Sequence, residues 1–397
     1  MIHVVLVGVS GFPFGLAEVQ RQRLLGRAFV SGGAVVTVLC RYGMQSPSKK
    51  NRLPAKGVYE GMNYCYCSGI SWRPTSLFWR LLRKAWGLFG ETWRILRLSW
   101  SKNLDAVLIS TDKMTTLIYF SLLGHLLGFE VILNYVELKS SFISIRNVFW
   151  RLHNSLFDRY AFGFTDAVIP ISYRLEQQVH RFSRKPGSLR VPAIADPHRY
   201  ISKRRQHSSS PYFAFCGSIG HIEIVEFILE SFLIYREHGS IGITLIVNGK
   251  TEEFTHLSNI IESSGLGDTV KVVSDLTDDE LAQVYANAYA LLIPLRENVQ
   301  DEARFPHKIA EYCFAGRPLV STNFGEVKRL FTDKVNAVVC SKYNPREFSE
   351  CLRYLSDNPA KADYIGENGR LLASSIFDYS VYALPLVQMV RALSGRS

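Results

Sequence analysis

Short, continuous apolar runs alternate with longer stretches of helical periodicity along most of the chain. Such runs are typical of parallel β-strands that helices cover on both faces. The alternation occurs twice, which predicts an α/β protein with two doubly wound sheets and right-handed crossovers. The predicted strands of the first half are His3–Val9, Ala34–Cys40, Tyr64–Cys67, Ala106–Ser110, Glu130–Val136 and Ala167–Ile171. Those of the second half are Tyr212–Cys216, Ile243–Val247, Val270–Val273, Tyr289–Pro294, Pro318–Ser321 and Ala337–Val339.

A polar segment, residues 196–211, separates the two sets of strands and contains Lys203-Arg204-Arg205 and Ser208-Ser209-Ser210. Its composition predicts a solvated linker. We therefore predict one doubly wound α/β domain over residues 1–195 and a second over residues 212–375, a division that the length of 397 residues allows. In open sheets of this kind, ligands bind at the carboxyl ends of the strands.

The net charge of +11 is unevenly distributed along the chain. Residues 1–200 contain 26 basic and 11 acidic side chains, whereas residues 201–397 contain 20 basic and 24 acidic ones. A basic half joined to a slightly acidic half predicts that the first domain meets an anionic surface or substrate.

Neither the cysteines nor the apolar runs indicate secretion or a membrane span. Seven cysteines are too few for a disulfide scaffold of this length. The N-terminal apolar run has no Lys or Arg ahead of it and predicts a strand rather than a signal peptide. The longest uncharged stretch of the first half, Met114–Phe129, is shorter than the ~20 residues that a spanning helix needs. We expect a cytoplasmic protein, with peripheral attachment to a membrane left open.

The strongest local signal for a binding site follows strand Tyr289–Pro294, where a polar loop leads into a helix predicted over Pro306–Ala315. The cations Arg304, His307 and Lys308 cluster at the amino end of that helix. The helix dipole and free N–H groups there favour a phosphate. Glu311 lies one turn beyond Lys308 and is placed to accept hydrogen bonds from a ribose diol. The alternative is a solvated helix face with an i, i+3 Lys–Glu pair.

A glycine-rich loop follows the first strand and reads Gly8-Val-Ser-Gly11-Phe-Pro-Phe-Gly15. Gly11 and Gly15 would let the backbone approach a ligand. The spacing differs from the dinucleotide-binding G-x-G-x-x-G pattern, so a plain tight turn is the alternative.

The stretch from Pro294 through Arg304-Phe-Pro-His-Lys-Ile-Ala-Glu to Thr322 resembles the donor-site signature of family 4 glycosyltransferases. Phe213-Ala-Phe-Cys-Gly217-Ser218, Leu245–Gly249 and Asp275-Leu-Thr-Asp-Asp-Glu-Leu agree with it. The resemblance implies the GT-B fold, in which two Rossmann-like domains face each other across a cleft. It also implies a nucleotide-sugar donor held mainly by the C-terminal domain, retention at the anomeric carbon, and a helix over residues 376–397 that crosses back onto the N-terminal domain.

By the same resemblance, Glu311 matches the family's second glutamate, which holds the donor ribose. The first glutamate stands eight positions earlier, where this chain has Ala303. Asp301 and Glu302 are its nearest acidic substitutes, and we predict them as catalytic residues. Glu137 follows strand Glu130–Val136 where the family places a residue of the catalytic face, and a solvated loop carboxylate is the alternative.

The family's usual Arg and Lys are missing from the first loop of the second domain, which reads Gly217-Ser218-Ile-Gly-His-Ile-Glu. We expect Gly217 and Ser218 to contact the donor and Arg296 and Lys308 to meet its phosphate charge. Glycosyl transfer by this fold needs no metal, because a helix dipole and cations can stabilise the leaving diphosphate. We therefore predict no metal and no cofactor.

Five tryptophans recur every seven residues: Trp72, Trp79, Trp86, Trp93 and Trp100. The last four lie along a helix predicted over residues 75–102. One arc of it carries Arg80, Arg83, Lys84, Glu91, Arg94 and Arg97, and the opposite face carries Phe78, Leu81, Leu82, Ala85, Phe89 and Leu96. A basic amphipathic helix edged with Trp suits the headgroup region of an anionic membrane. The predicted membrane contacts are Trp79, Arg80, Arg83, Trp86, Trp93, Arg94 and Arg97.

Two alternatives remain for this helix: its apolar face covers the sheet, or its charge holds the pyrophosphate of an acceptor. A nucleic-acid partner is not expected, because the tryptophans edge a helix instead of forming a base-stacking sheet.

Together these features predict a cytoplasmic glycosyltransferase, peripheral on the inner face of the cell membrane. It would move a sugar from a nucleoside-diphosphate sugar to a lipid-linked or polysaccharide acceptor in cell-surface glycan synthesis, such as that of lipopolysaccharide. The alternatives are a non-catalytic relative that binds nucleotide or glycan, and a sugar-nucleotide epimerase.

Overall fold

The computed structural model of the chain describes residues 2–46, 52–101, 103–142, 147–183, 186–203, 205 and 210–395. The chain forms two compact units. Unit 1 comprises Met1–Pro192 together with Tyr379–Ser397, and unit 2 comprises Ala193–Asp378. None of the helices in the described ranges combines the length and apolar character that crossing a bilayer requires.

Strands and helices alternate in both units. The strands are β1 (His3–Val7), β2 (Val35–Cys40), β3 (Lys56–Tyr59), β4 (Met62–Tyr66), β5 (Ala106–Ile109), β6 (Glu130–Tyr135), β7 (Ala167–Pro170), β8 (Gly187–Ser188), β9 (Tyr212–Ser218), β10 (Gly242–Asn248), β11 (Val270–Val273), β12 (Ala290–Ile293), β13 (Leu319–Thr322) and β14 (Val338–Cys340). The α-helices are α1 (Ala17–Ser31), α2 (Leu77–Trp100), α3 (Met114–Leu127), α4 (Val148–Tyr160), α5 (Tyr173–Phe182), α6 (Pro197–Ile201), α7 (Ile222–Arg236), α8 (Thr251–Ser263), α9 (Asp278–Asn287), α10 (Val299–Ala303), α11 (His307–Phe314), α12 (Gly325–Leu330), α13 (Pro345–Asp357), α14 (Pro359–Ile376) and α15 (Ala383–Leu393). Short 3₁₀ helices lie at Lys139–Ser141, Ala161–Phe164 and Tyr379–Tyr382.

The sheet of unit 1 has the strand order β3-β4-β2-β1-β5-β6-β7-β8. Its strands are parallel except β3, which pairs antiparallel with β4. Because parallel crossovers are right-handed, this order puts α1 on one face of the sheet and α2 to α5 on the other. The C-terminal helix α15 packs against α1.

The sheet of unit 2 has the order β11-β10-β9-β12-β13-β14 and is parallel throughout its six strands. Its apolar runs are buried on both faces, and α7 and α13 supply much of the core that covers one of them. The centre of the sheet is β9 beside β12, so the loops that follow these two strands emerge at the same edge.

Each predicted strand is present, with ends shifted by at most two residues. The pattern missed β3 and β8. Strand β3 alternates between exposed and half-buried residues, with Val58 facing solvent, so it has no continuous apolar run. Strand β8 has two residues.

The polar segment 196–211 is not a linker at its start. Asp196 caps α6 by accepting a hydrogen bond from the His198 backbone N–H (3.2 Å), and Pro197 and Tyr200 of this helix are buried. The boundary between the units falls at Pro192 instead of residue 195. Arg204, Ser208 and Ser209 of the predicted linker lie outside the described residues.

Candidate functional site

The predicted donor residues of unit 2 lie on segments that follow β9 and β12. Gly217 and Ser218 end β9, Arg296 follows β12, and Arg304 follows α10. The remaining three, His307, Lys308 and Glu311, lie on α11, where Pro306 is the N-cap and not the first helical residue. The carboxyl edge of the central strands is where an open α/β sheet binds its ligands.

Asp301 organises the cations of this edge from a fully buried position. Its carboxylate accepts hydrogen bonds from the backbone N–H of Arg296 (2.8 Å) and from its guanidinium Nε and Nη2 (3.0 Å each). It also pairs with Arg304 Nη2 at 2.9 Å. The carboxylate of Asp301 is thus buried and engaged by two arginines, which it orients; its catalytic role stays a prediction.

Glu223 and His221 complete this cluster from the first turn of α7. The Arg296 guanidinium pairs with the carboxylate of Glu223 as well as with Asp301. Burial lowers the pKa of His221, and the nearby positive charge of Arg304 lowers it further. The loop after β9 has no Arg or Lys of its own, and this geometry brings the guanidinium of Arg296 from the loop after β12 to that loop.

Lys308 and Glu311 form the second charged group of the edge. Lys308 Nζ lies 3.5 Å from Glu311 Oε2 and 6.0 Å from the ring centroid of Tyr285. Burial opposes the charge on Lys308, but the Glu311 carboxylate outweighs it and the pKa of Lys308 is raised. The lysine is therefore a permanent cation. The pair is largely buried, unlike the solvated helix face that was the alternative interpretation.

A group of tyrosines supports this pair. Tyr200 of α6 stacks on Tyr285 of α9 with 6.3 Å between ring centroids, and Tyr285 meets Tyr312 of α11 edge to face at 5.0 Å. The Tyr312 hydroxyl accepts a hydrogen bond from the backbone N–H of Cys216 in β9 (2.8 Å). Sequence reasoning missed these residues, because tyrosines spread over three helices carry no spacing signal.

Ala303 stands where the resemblance expects a glutamate, and it is buried. Glu302, the second predicted substitute, is partly exposed, as are His307 and Lys308. Of the two predicted acids, only Glu302 has any accessible surface; its catalytic role stays a prediction.

The sequence predicted functional residues of unit 1 in two segments, the loop after β1 and the segment after β6. Gly11 is buried with a φ of +106°, a conformation that favours glycine, whereas Gly15 is exposed. The loop is held by a hydrogen bond from the Tyr66 hydroxyl to the carbonyl oxygen of Phe12 (2.6 Å). It is thus a fixed turn, and its contact with an acceptor stays a prediction.

Glu137 is not an isolated loop carboxylate. Its side chain pairs with Lys139 Nζ at 2.7 Å, and the same ammonium lies 3.5 Å from Asp112. Burial opposes the charge of Lys139, but these carboxylates raise its pKa. Lys139 is thus a cation in the segment that follows β6 of unit 1, and the sequence analysis did not single it out. Among the described residues, no group of three or more His, Cys, Asp or Glu side chains is arranged to hold a metal ion.

Helix α2 packs through a narrow strip that includes Glu91 of its charged arc, whereas Lys84 and Arg97 of that arc are exposed. Gly87, Gly90, Glu91 and Ile95 are its buried residues. Arg83 donates to the carbonyl oxygen of Ser68 (2.9 Å) and Arg94 to that of Gly90 in its own helix (3.0 Å); their membrane contact stays a prediction. Arg80 is half-buried and Arg97 is exposed.

The apolar face of α2 points to solvent, so the alternative in which it covers the sheet is wrong. Ten of its large apolar side chains are exposed: Leu77, Phe78, Trp79, Leu81, Leu82, Trp86, Leu88, Phe89, Trp93 and Trp100. Helix α4, which the sequence did not single out, is built the same way, with Asn154, Phe157 and Asp158 buried. Its exposed apolar residues are Val148, Phe149, Trp150, Leu152, Leu156 and Tyr160.

Comparison with known proteins gives this geometry a family context. Residues 199–372 match the family described as Glycosyl transferases group 1. A curated relative, the MMP alpha-(1->4)-mannosyltransferase of Mycolicibacterium hassiacum, is 24% identical over 221 residues, covering 54% of this chain. The alignment spans about half of that relative's own length, 51%.

Two solved structures are similar over whole chains. Sucrose-phosphate synthase of Thermosynechococcus elongatus has a TM-score of 0.74 at 15% identity, covering 100% of both chains. HepE of Anabaena in complex with UDP-glucose has a TM-score of 0.67 at 13% identity, again covering 100% of both chains. The predicted GT-B fold is thereby confirmed.

Proposed function

We propose that the protein is a glycosyltransferase that takes its sugar from a nucleoside-diphosphate sugar. The observation that carries the proposal is the pair Lys308–Glu311, largely buried at the carboxyl edge of a sheet whose domain matches glycosyltransferases. HepE, one structural neighbour, binds UDP and UDP-glucose. The permanently charged Lys308 ammonium suits the diphosphate of such a ligand, and the Glu311 carboxylate beside it suits the ribose diol.

In this proposal the cations stabilise the leaving group. The bond between the anomeric carbon and the diphosphate oxygen breaks, a bond from that carbon to an acceptor oxygen forms, and the acceptor proton passes to the departing nucleoside diphosphate. Lys308, Arg296 and Arg304 would take up the charge that develops on the diphosphate. Asp301 would hold the two arginines in place, and Glu311 would bind the ribose hydroxyls. Retention at the anomeric carbon and independence of metal are parts of the proposal.

The acceptor is proposed to be a lipid-linked glycan or polysaccharide at the inner face of the cell membrane. The support comes from the basic first half and from the exposed apolar faces of α2 and α4, which present sixteen large apolar side chains to solvent. A surface of that extent on a monomer marks an interaction site. Aromatic side chains beside arginines suit an anionic bilayer surface.

The proposal is tested by measuring the release of nucleoside diphosphate from UDP-, GDP-, ADP- and dTDP-sugars, with and without a membrane extract. We expect release from one donor that increases with the extract. Lys308→Ala and Glu311→Ala should each abolish it. The matched controls are Arg370→Ala and Glu367→Ala, which break an exposed i, i+3 pair elsewhere in unit 2 and should leave release unchanged.

Normal release from both Lys308→Ala and Glu311→Ala would show that the donor lies elsewhere. Nucleotide binding without release from any donor, measured by thermal shift, would favour a non-catalytic relative, a reading to which the buried Ala303 points.

A further inference from the structure

A cavity of about 130 Å³ lies in unit 1, at the carboxyl ends of β2 and β4 and the first turns of α2. It is remote in sequence from every residue assigned above to the donor. Its lining residues are Tyr42, Gly43, Met44, Ser68, Ile70, Trp72, Arg73, Pro74, Arg80, Arg83 and Lys84. Four of these are basic and, among the described residues that line it, none is acidic.

The walls of the cavity are tied together by the backbone. Strands β2 and β4 are parallel neighbours, so the loops after them emerge side by side. The N–H of Gln45 donates to the carbonyl of Ser71 (3.2 Å), and the N–H of Arg73 donates to the carbonyl of Gln45 (3.0 Å). Gly43 lies so close to Ser71 that a Cβ would come within 2.2 Å of its carbonyl carbon. The cavity is therefore preformed.

Its cations have few protein partners. The Nε of Arg80 is buried and has no hydrogen-bond partner within the part of the chain that the structure describes. Lys84 Nζ lies 5.4 Å from the ring centroid of Tyr42, and Arg83 donates to a neutral carbonyl at Ser68. A site with several cations and no carboxylate against them is built for an anion.

The size and the surroundings of the cavity narrow the chemistry of that anion. A cavity of about 150 Å³ holds a molecule the size of benzene, so this one has room for a phosphate or a diphosphate. The helix that supplies Arg80, Arg83 and Lys84 exposes Phe78, Leu81 and Leu82 on the same turns. A ligand that uses both features carries a phosphate group on an apolar chain.

We propose that this cavity binds the phosphate or diphosphate group of an amphiphilic lipid, whose chain lies along the exposed apolar residues of α2. The evidence for lipid binding is the cavity alone. The further role of this lipid as the carrier of the sugar acceptor rests on the proposed function. A lipid-linked acceptor and a bilayer headgroup share this chemistry, and the probes below separate them.

The test measures affinity for phosphatidylcholine vesicles containing farnesyl phosphate, the same fraction of phosphatidylglycerol, or neither, in the absence of any sugar nucleotide. The variant Arg80→Gln/Lys84→Gln removes two cations of the cavity. The matched control Arg94→Gln/Arg97→Gln removes the same charge from the same helix, outside the cavity. Both variants lose the same surface charge, so we expect the cavity variant to bind the phosphate-bearing vesicles at least about tenfold more weakly than the control does.

Selective loss with farnesyl phosphate assigns the cavity to a lipid-linked acceptor, and equal selective loss with both lipids assigns it to headgroup phosphates. Equal weakening of the two variants, or none in the cavity variant, would overturn the proposal. Because no donor is present, failure here leaves the donor site of unit 2 untouched. Conversely, vesicle binding that persists when donor turnover is absent keeps this proposal and removes the other.

Discussion

Helices α2 and α7 both cover a parallel sheet, but they present opposite faces to it. In unit 2, α7 buries its apolar side, including Phe227, Ile228 and Phe232. In unit 1, α2 exposes ten large apolar side chains and buries two glycines, a glutamate and one isoleucine. Apolar patterning thus establishes that a helix has two faces without establishing which one packs.

Close backbone contact decides the orientation of α2. A Cβ at Gly87 would lie 1.9 Å from the carbonyl oxygen of Arg41, and one at Gly90 would lie 2.6 Å from that of Cys67. Glu91 on the same face pairs with Arg41. Small residues and an ion pair therefore anchor α2, and its apolar side is left for another partner.

The largest test of this comparison exchanges one phenylalanine in each helix for alanine. Phe232 is 0% exposed, so Phe232→Ala should lower the free energy of unfolding by about 3–5 kcal/mol. Phe89 is 62% exposed, and Phe89→Ala should change it by less than about 0.5 kcal/mol. Urea unfolding measures both. Similar losses would mean that the apolar side of α2 is packed in solution.

The second test concerns the buried carboxylate of each unit. Asp301→Asn should cost about 3 kcal/mol, because it leaves two arginines without their shared anion. Glu91→Gln should cost about 1 kcal/mol, because one arginine loses its partner and burial already raises the pKa of Glu91. Thermal unfolding measures both variants, and an equal cost would contradict the ranking.

The third test asks what covers the exposed face. Trp86→Ser/Phe89→Ser should weaken binding to phosphatidylglycerol vesicles by about thirtyfold, which is about 2 kcal/mol for two side chains that insert partway. The control Leu233→Ser/Leu371→Ser removes two exposed apolar residues of unit 2 and should have no effect. Sedimentation with vesicles gives the affinities. If the first variant binds normally while size-exclusion chromatography shows loss of a dimer, the partner is a second copy of the chain.

The smallest test uses pH. Burial and the nearby Asp166 carboxylate raise the pKa of Glu130 in unit 1 to about 7. The folded state then holds a proton that the unfolded state releases near pH 4.5, so stability falls as pH rises through this window. Glu130→Gln should remove about 1 kcal/mol of that decline after allowance for solvent screening.

Glu280 of unit 2 should change the stability with pH in the opposite direction. Hydrogen bonds from Thr277 lower its pKa, so its contribution is present above the unfolded pKa and is lost as pH falls. Urea unfolding from pH 3 to pH 8 compares Glu130→Gln with Glu280→Gln. Parallel pH profiles for the two variants would contradict the assignment.

The strands were predictable because a strand buried on both faces is a continuous apolar run, as in β5 and β12. The helix around Lys308 was predictable because Pro306 and Gly316 bracket it. The apolar strand, the proline and the glycine therefore located the loop and helix that carry the charged residues of unit 2.

The roles of single residues were less accessible to the sequence. Asp301 and Glu302 are adjacent and chemically similar, yet one is fully buried between two arginines and the other is partly exposed. That difference arises because Arg296 and Arg304 both fold back on Asp301, and the sequence does not show which of two adjacent acids they meet. The tyrosines around Lys308 and the outward face of α4 depend on tertiary packing instead.

The chain leaves unit 1 after Pro192 and returns to it at Tyr379. On return, Arg27 of α1 lies over the ring of Tyr379 (4.3 Å to the centroid), and a Cβ at Gly32 would meet the carbonyl oxygen of Ala383 at 2.6 Å. During synthesis, α1 therefore lacks its contacts with α15 until all of unit 2 has been translated. At about 5–20 residues per second this interval is roughly 10 to 40 s. Of the two units, unit 1 is therefore the first to begin synthesis and the last to be completed.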